Sequence, residues 1–357
     1  MNRPLVSVVI PAFNVATNIR QTLNSVLAQT HQEIEVIVVD DGSSDTTSAV
    51  VEEFVTKDAR FQLIRQSNAG VGAARNTGIR KAHGKYIAPL DADDTWFPEK
   101  LEKQVACAEK YGNETGLVYC WSAILDEYGR LFIDRSEAIE GRLGHALILR
   151  NVVGNGSAPL FRADALEKVG LYLTRIEQGG AQGCEDWDLY LRIAECFSIH
   201  VVPEYLLAYR QASSSMSADA ETMAASFAMV MGRARKRNLD LPSSIFCWSA
   251  GHFYAYLAKN SYRWGYYDRC LRYLKEAVRS DPALLLTTVV YRILVRALFK
   301  MNKDSGGKLL AEKVEADMNG KGRNLEPDKK RKRPFISNLI FEKIERRRWS
   351  AALENGA

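Results

Sequence analysis

Leu5-Val6-Ser7-Val8-Val9-Ile10-Pro11 decides the fold, together with the helix and second strand that come after it in the chain. The run is almost wholly apolar and β-branched, the pattern of a strand buried on both faces. Residues 16–29 then show helical periodicity, with Ile19, Leu23, Val26 and Leu27 on one face and Thr17 or Asn18 placed as N-cap. Ile34-Glu35-Val36-Ile37-Val38-Val39 is a second such strand. Strand, helix and strand with short joins make a βαβ unit. Its crossover is right-handed, and its ligand crevice lies at the carboxyl ends of the strands. The alternation continues with a helix from an N-cap at Ser44 or Asp45 to Lys57, a strand at residues 61–65, a helix at 73–83 closed by Gly84, a strand at 86–90, a helix at 98–111 and a strand at 117–122. The first half therefore reads as an α/β domain with a mostly parallel central sheet.

Acidic residues mark the strand ends. Asp40-Asp41-Gly42-Ser43-Ser44-Asp45 follows the second strand, and Leu90-Asp91-Ala92-Asp93-Asp94 follows the strand at 86–90. Carboxylates crowded at a strand end repel one another and are costly to desolvate without a cation among them. A divalent metal is a natural partner for their oxygens. Each motif alone also fits a solvated turn, since Asp is common in turns. Convergence of several such motifs on one crevice is the functional signal. Asn68-Ala69-Gly70-Val71-Gly72 by itself fits either a phosphate loop or a turn before a helix, and Glu185-Asp186 by itself fits a helix N-terminus.

At 357 residues the chain is expected to hold more than one domain. The reading places an α/β domain at 1–222, a helical C-terminal appendage at 223–303 and a basic tail at 304–357. Hydrophobic content of 46% and charged content of 25% belong to an ordinary globular protein, and the net charge is a mild +5. Six cysteines without CxxC pairing read as reduced thiols, with zinc not expected. No apolar run reaches the roughly 18 residues of a membrane span. Residues 283–299 come nearest and are broken by Arg292 and Arg296. No signal peptide is read at the N-terminus, so a cytoplasmic location is expected. In the helical part, Gly265-Tyr266, Ala277 and Pro282 stand where a tetratricopeptide-type hairpin would have them, as one unit and not an array. The tail carries Lys329-Lys330-Arg331-Lys332-Arg333 and Arg346-Arg347-Arg348. It could sit idle in solvent, bind nucleic acid or rest on anionic lipid. An amphipathic helix at 334–353, with Phe335, Leu339, Phe341 and Ile344 opposite the arginines, favours peripheral contact with the inner face of a membrane over nucleic acid.

Taken in order, Val6 to Asn14, Val38 to Asp45, Asn68 to Gly78, Leu90 to Asp94 and Glu185-Asp186-Trp187-Asp188 resemble the motifs of family 2 glycosyltransferases. The likeness covers roughly residues 4 to 220. It implies a GT-A fold and an inverting, metal-dependent transfer of a sugar from a nucleotide-diphosphate donor, UDP by default. The acceptor would be a hydroxyl on a glycan or lipid-linked glycan of the cell surface. By this resemblance Pro11, Ala12 and Asn14 would border the nucleotide, Asp41 would hold the base, and Asp40 would support that loop. Arg75 would approach the diphosphate or base. Asp91, Ala92 and Asp93 would form the DxD turn, with Asp93 ligating Mn²⁺ or Mg²⁺ and Asp91 contacting ribose or a metal-bound water. Asp186, beside Glu185, would be the catalytic base. The family often places a histidine after its Tyr-Arg pair. Tyr209-Arg210-Gln211-Ala212 has none, which leaves Arg210 or residues 213–215 to meet the diphosphate. Two other classes share such a crevice: a nucleotide-sugar-binding module without catalysis, and a nucleotidyltransferase. The latter usually carries a glycine-rich basic loop after its first strand, and Ala12-Phe13-Asn14 lacks one.

Overall fold

The structure, a computed structural model, describes residues 3–126, 131–132, 138–211, 216–303 and 336–354. Val6–Ala12 (β1) is buried at every position and pairs in parallel with Ile34–Asp40 (β2) on one side and Tyr86–Pro89 (β4) on the other. Phe61–Arg65 (β3) adds to β2 in parallel. Ile19–Leu27 (α1), Thr47–Lys57 (α2) and Val71–Lys81 (α3) connect these strands. Two glycines let α3 lie close to its neighbours. A Cβ on Gly78 would stand 2.5 Å from Val9 Cγ1, and one on Gly72 would stand 2.3 Å from the carbonyl oxygen of Leu173.

The rest of the sheet mixes directions. Its strands are Thr95–Trp96 (β5), Thr115–Asp126 (β6), Leu131–Phe132 (β7), Leu160–Arg162 (β8) and Ser198–Gln211 (β9). The order is β3-β2-β1-β4-β8-β6-β9-β5, with β7 on β6. β8 runs antiparallel between β4 and β6, while β6 and β9 are parallel. Helices Lys100–Tyr111 (α4), Gly144–Leu149 (α5), Ala163–Val169 (α6), Glu185–Ala194 (α7) and Ala220–Arg237 (α8) complete this part.

Three sequence expectations are corrected. Local pattern ends the last strand at Pro203, yet β9 continues to Gln211. Pro203 and Glu204 fall where the register with β6 shifts, between Val202 and Tyr205, so the absent proline N–H breaks no ladder bond. The first helix begins at Ile19, and Asn18 makes no side-chain cap. The loop before it is held instead from α2, where Thr47 Oγ1 accepts the Val15 N–H and Asp45 Oδ2 accepts the Ala16 N–H. Arg348, expected on an outward basic face, is one-tenth exposed. It donates to both oxygens of Asp281 and to Glu345, and lies over the Trp248 ring.

The chain divides into two compact units. The first runs to Pro242, past the boundary read at residue 222. It includes α8, which is tied to the start of α7: Cys184 N–H donates to Ser226 Oγ, Ser226 Oγ donates to Gln178 Oε1, and Trp187 meets Phe227 at 5.6 Å. The second unit, residues 243–351, holds Ser243–Arg263 (α9), Tyr267–Ser280 (α10), Thr288–Lys303 (α11) and most of Ile336–Glu354 (α12). Tyr254 and Tyr273 stack between α9 and α10 with centroids 6.0 Å apart. Residues 304–335, including the basic cluster at 329–333, lie outside the described residues.

Candidate functional site

A cleft of about 740 Å³ opens at the carboxyl ends of β1, β2 and β4. β1 delivers Pro11 and Ala12 to it, followed by Phe13 and Asn14. Asn14 adopts φ +48°, a conformation that Asn tolerates better than most residues, and here its side chain secures it. Its Oδ1 accepts the Ser44 N–H at 2.8 Å, while its own N–H donates to Ser43 Oγ at 2.9 Å. The loops after β1 and β2 are thereby joined.

β2 ends in two carboxylates that the protein itself satisfies. Asp40 Oδ1 accepts the Ser43 N–H and its Oδ2 accepts the Ser48 hydroxyl. Those donors hold the Asp40 carboxyl below its usual range, against the desolvation that pushes it up. Asp41 Oδ1 accepts Gln66 Nε2 at 2.7 Å and the Ala69 N–H at 2.9 Å; Oδ2 accepts the Gly70 N–H at 2.8 Å. Asp41 thus shapes the glycine loop before α3. Gly70 adopts φ +92°, a conformation that strains any side chain, and a Cβ there would also stand only 3.0 Å from Gln182 Oε1 and 3.2 Å from Arg175 Cβ.

β4 leads into Asp91-Ala92-Asp93-Asp94, a turn held by groups from three elements. Ser157 Oγ accepts the Asp91 N–H, Thr22 Oγ1 lies within bonding distance of the Ala92 and Asp94 carbonyls, and Arg210 Nε donates to the Asp93 carbonyl. The three carboxylates differ. Asp94 is fully buried, accepting from Ser157 Oγ at 2.6 Å and the Arg210 N–H at 2.8 Å. Burial, then Asp93 and Asp91, push its carboxyl well up. It braces β9 against the turn and does not line the cleft. Asp91 pairs with Arg75. The Asp93 carboxylate accepts a hydrogen bond from no other described residue, and burial beside Asp91 pushes it up to about 6.

Arg75 is the hub behind the turn. It is 3% exposed and donates from Nη2 to Asp91 and from Nη1 to Glu185 at 3.0 Å. The Tyr172 ring lies 5.1 Å from its guanidinium, and Gly156 leaves no space for a Cβ beside Nη2. Glu185 is tied on both oxygens, since Oε2 accepts the Gly183 N–H. Asp186, next to it at the head of α7, accepts the Trp187 N–H, and burial together with Glu185 pushes its carboxyl up to about 7.

Of the residues singled out from sequence, Pro11, Ala12, Asn14, Asp41, Arg75, Asp91, Ala92, Asp93 and Arg210 line the cleft. Asp40, Glu185 and Asp186 do not. Sequence reading missed Arg175, Gln182 and Tyr209, which reach the cleft from the segment after Leu173 and from β9. One clue lay in the sequence. Asn76 of α3 clamps Tyr172 by donating to its carbonyl and accepting its N–H, which brings that segment over the glycine loop. Residues 213–215 lie outside the described residues. A second acidic cluster, His252, Asp281 and Glu345 in the helical unit, already has the Arg348 guanidinium bound to both of its carboxylates.

Comparison with known proteins bears on this cleft. Residues 7–170 match the family model described as Glycosyl transferase family 2. An uncharacterized glycosyltransferase of Rickettsia prowazekii is 30% identical over 217 residues, 58% of this chain and 64% of that protein. One of Haemophilus influenzae is 42% identical over 106 residues, 29% of this chain and 42% of that protein. The chain therefore spans less than two thirds of these curated relatives. Among solved structures, S. aureus TarS 1-349 in complex with UDP-GlcNAc matches with a TM-score of 0.51 at 16% identity, covering 78% of this chain and 90% of that one. Its complex with UDP gives 0.52 at 17% identity, covering 83% and 88%. At such identities the likeness is one of fold, and it extends to this chain's α/β unit with C-terminal helices. No helix among the described residues is long and apolar enough to cross a membrane.

Proposed function

We propose, from the match of residues 7–170 to the Glycosyl transferase family 2 model, that this chain transfers a sugar from a nucleoside-diphosphate donor to a hydroxyl acceptor with inversion at the anomeric carbon. The observation that carries this reading is the uneven satisfaction of the cleft's carboxylates. Asp93 lines the cavity beside Asp91, and no other described residue donates a hydrogen bond to its carboxylate. Desolvation and Asp91 outweigh the pull of Arg210 on this carboxylate, which suits a divalent cation, and Mn²⁺ or Mg²⁺ fits the oxygen-only donor set of Asp93 and Asp91. When bound, such an ion would neutralise developing charge on a leaving diphosphate.

This chain's own residues supply the rest. Ala12, Asn14 and the Asp41-held glycine loop form the wall where a base and ribose would lie. Arg175 and Arg210 are the cations that line the cavity in addition to Arg75. Arg75 is a positioning residue: held between Asp91 and Glu185, it orients the first and keeps the second beside Asp186. Asp186 would take the acceptor proton, and a carboxyl raised to about 7 suits a base working near neutrality. The TarS complexes with UDP-GlcNAc and UDP favour a uridine donor. A glycan or lipid-linked glycan acceptor, a cytoplasmic setting, peripheral membrane contact and a domain plan of catalytic unit plus helical appendage complete the proposal. The position of Glu185 and Asp186 outside the cleft lining favours the alternative of a nucleotide-sugar-binding module without catalysis.

Calorimetric titration with UDP, GDP and dTDP, with and without Mn²⁺, tests the donor site on the full chain and on Asp93→Ala. Metal-dependent binding of one nucleotide, lost in the variant, is expected. Equal binding with and without metal would overturn the metal site. Binding without any hydrolysis or transfer of the cognate sugar nucleotide would favour the module.

A further inference from the structure

Helix α11, Thr288–Lys303, presents three distinct faces. Val290 and Ala297 are buried, and Ile293 and Leu294 are half-buried on the same side. Beside this inward face runs an exposed apolar stripe, Tyr291 (51% exposed), Val295 (63%) and Leu298 (49%), at i, i+4 and i+7. Beside that runs a basic stripe, Arg292, Arg296 and Lys300, all exposed and four residues apart. At 3.6 residues per turn each stripe follows the helix along its length. Residues 282–303 contain no Asp or Glu.

We infer that α11 is a membrane-surface helix that lays its apolar stripe into the headgroup boundary of an anionic bilayer, with Arg292, Arg296 and Lys300 against the lipid phosphates. Parallel apolar and cationic stripes on one outward surface are what an interfacial helix needs, since burial of the first and attraction of the second act in the same plane. The long aliphatic stems of Arg and Lys let their heads reach phosphate while the stems stay with the apolar stripe. A protein partner would have to bring its own acidic groups, because these two stripes offer only cations and, apart from Tyr291, no acidic, amide or hydroxyl side chain. The same two arginines that stop residues 283–299 from reading as a span thus make them a surface anchor. This places a lipid contact on a helix of the second unit, in addition to the one the sequence suggests for the basic tail.

The test is co-sedimentation of the full chain with phosphatidylcholine vesicles, with and without phosphatidylglycerol. Binding is expected only with the anionic lipid, and it should weaken with added salt. Each cationic residue near such a surface is worth about five-fold in partitioning, so Arg292→Gln with Arg296→Gln should weaken binding roughly 25-fold. Val295→Asp should weaken it as well. Arg292→Lys with Arg296→Lys should keep it. All of these positions are exposed, and unchanged melting temperatures would show that the variants fold. Absence of binding to anionic vesicles, equal binding to neutral ones, or full binding by the Gln and Asp variants would overturn the inference. So would loss of all binding when residues 329–333 alone are changed to Gln. Light scattering that shows the α11 variants abolishing self-association, with no lipid binding in the parent, would assign the face to a second copy instead.

Discussion

Two acidic motifs stand at the ends of the two strands that flank β1, and their charges are met in opposite ways. After β2, Asp40 and Asp41 each have both oxygens occupied by N–H or O–H donors, from Ser43 and from Ser48 of α2 for the first and from the segment after β3 for the second. After β4, Asp94 is braced and Asp91 is paired, but the Asp93 carboxylate has no donor from another described residue. Glu185 and Asp186 repeat the contrast within one dipeptide, the first tied at both oxygens and the second by a single backbone N–H. A carboxylate supplied with donors shapes backbone; one desolvated beside another acid, as Asp94 and Asp93 are, is driven toward protonation. Residue type and spacing look alike in the two motifs. What separates scaffold from candidate chemistry is which donors the fold delivers.

The contrast can be broken most sharply at Asp186. If it is the base, Asp186→Asn should lower turnover roughly 10²–10⁴-fold while nucleotide affinity is unchanged, and parent kcat should decline as pH falls through about 7, where the carboxyl takes up its proton. Turnover close to that of the parent would place Asp186 with the scaffold carboxylates. A smaller effect, on stability, is expected at Asp41. Its carboxylate satisfies the Ala69 and Gly70 N–H groups, so Asp41→Ala should cost about 1–3 kcal/mol in urea unfolding. Unchanged stability would mean that solvent or a ligand serves those groups equally well.

The smallest effect concerns Asp93. Its folded carboxyl protonates at about 6, above the value near 4 of an unfolded chain. Between these values the folded state holds a proton that the unfolded state has released. Stability from this group is therefore present at low pH and lost as pH rises through about 6. Melting temperatures of the metal-free protein and of Asp93→Asn across this window should differ in slope, with the variant flatter; Mn²⁺ should restore the parent at neutral pH. Identical slopes would return Asp93 to the class of satisfied acids.

The four parallel strands were legible because a strand covered on both faces needs a nearly unbroken apolar run, as in Val6–Ala12 and Ile34–Asp40. The glycines of 68–72 read only as a phosphate loop or a turn; the fold uses Gly70, Gly72 and Gly78 for close approach to Gln182, Leu173 and Val9. Arg75 stood out by its motif, but its seat between Asp91 and Glu185, 110 positions from the latter, could not be read locally. The run of β9 through Pro203 was hidden for a related reason, since a proline's cost depends on whether the partner strand asks for its N–H.

Sequence by itself determined the βαβ frame, the strand ends at which ligands gather and the residue types placed there. Period, propensity and turn chemistry act over a few residues and survive without tertiary context. Tertiary structure alone decided which carboxylates are neutralised, which arginine is spent holding them, and which faces of α11 remain outward. Each of these depends on donors and neighbours that arrive from distant parts of the chain, and the energy of a charge or an apolar surface is set by what surrounds it.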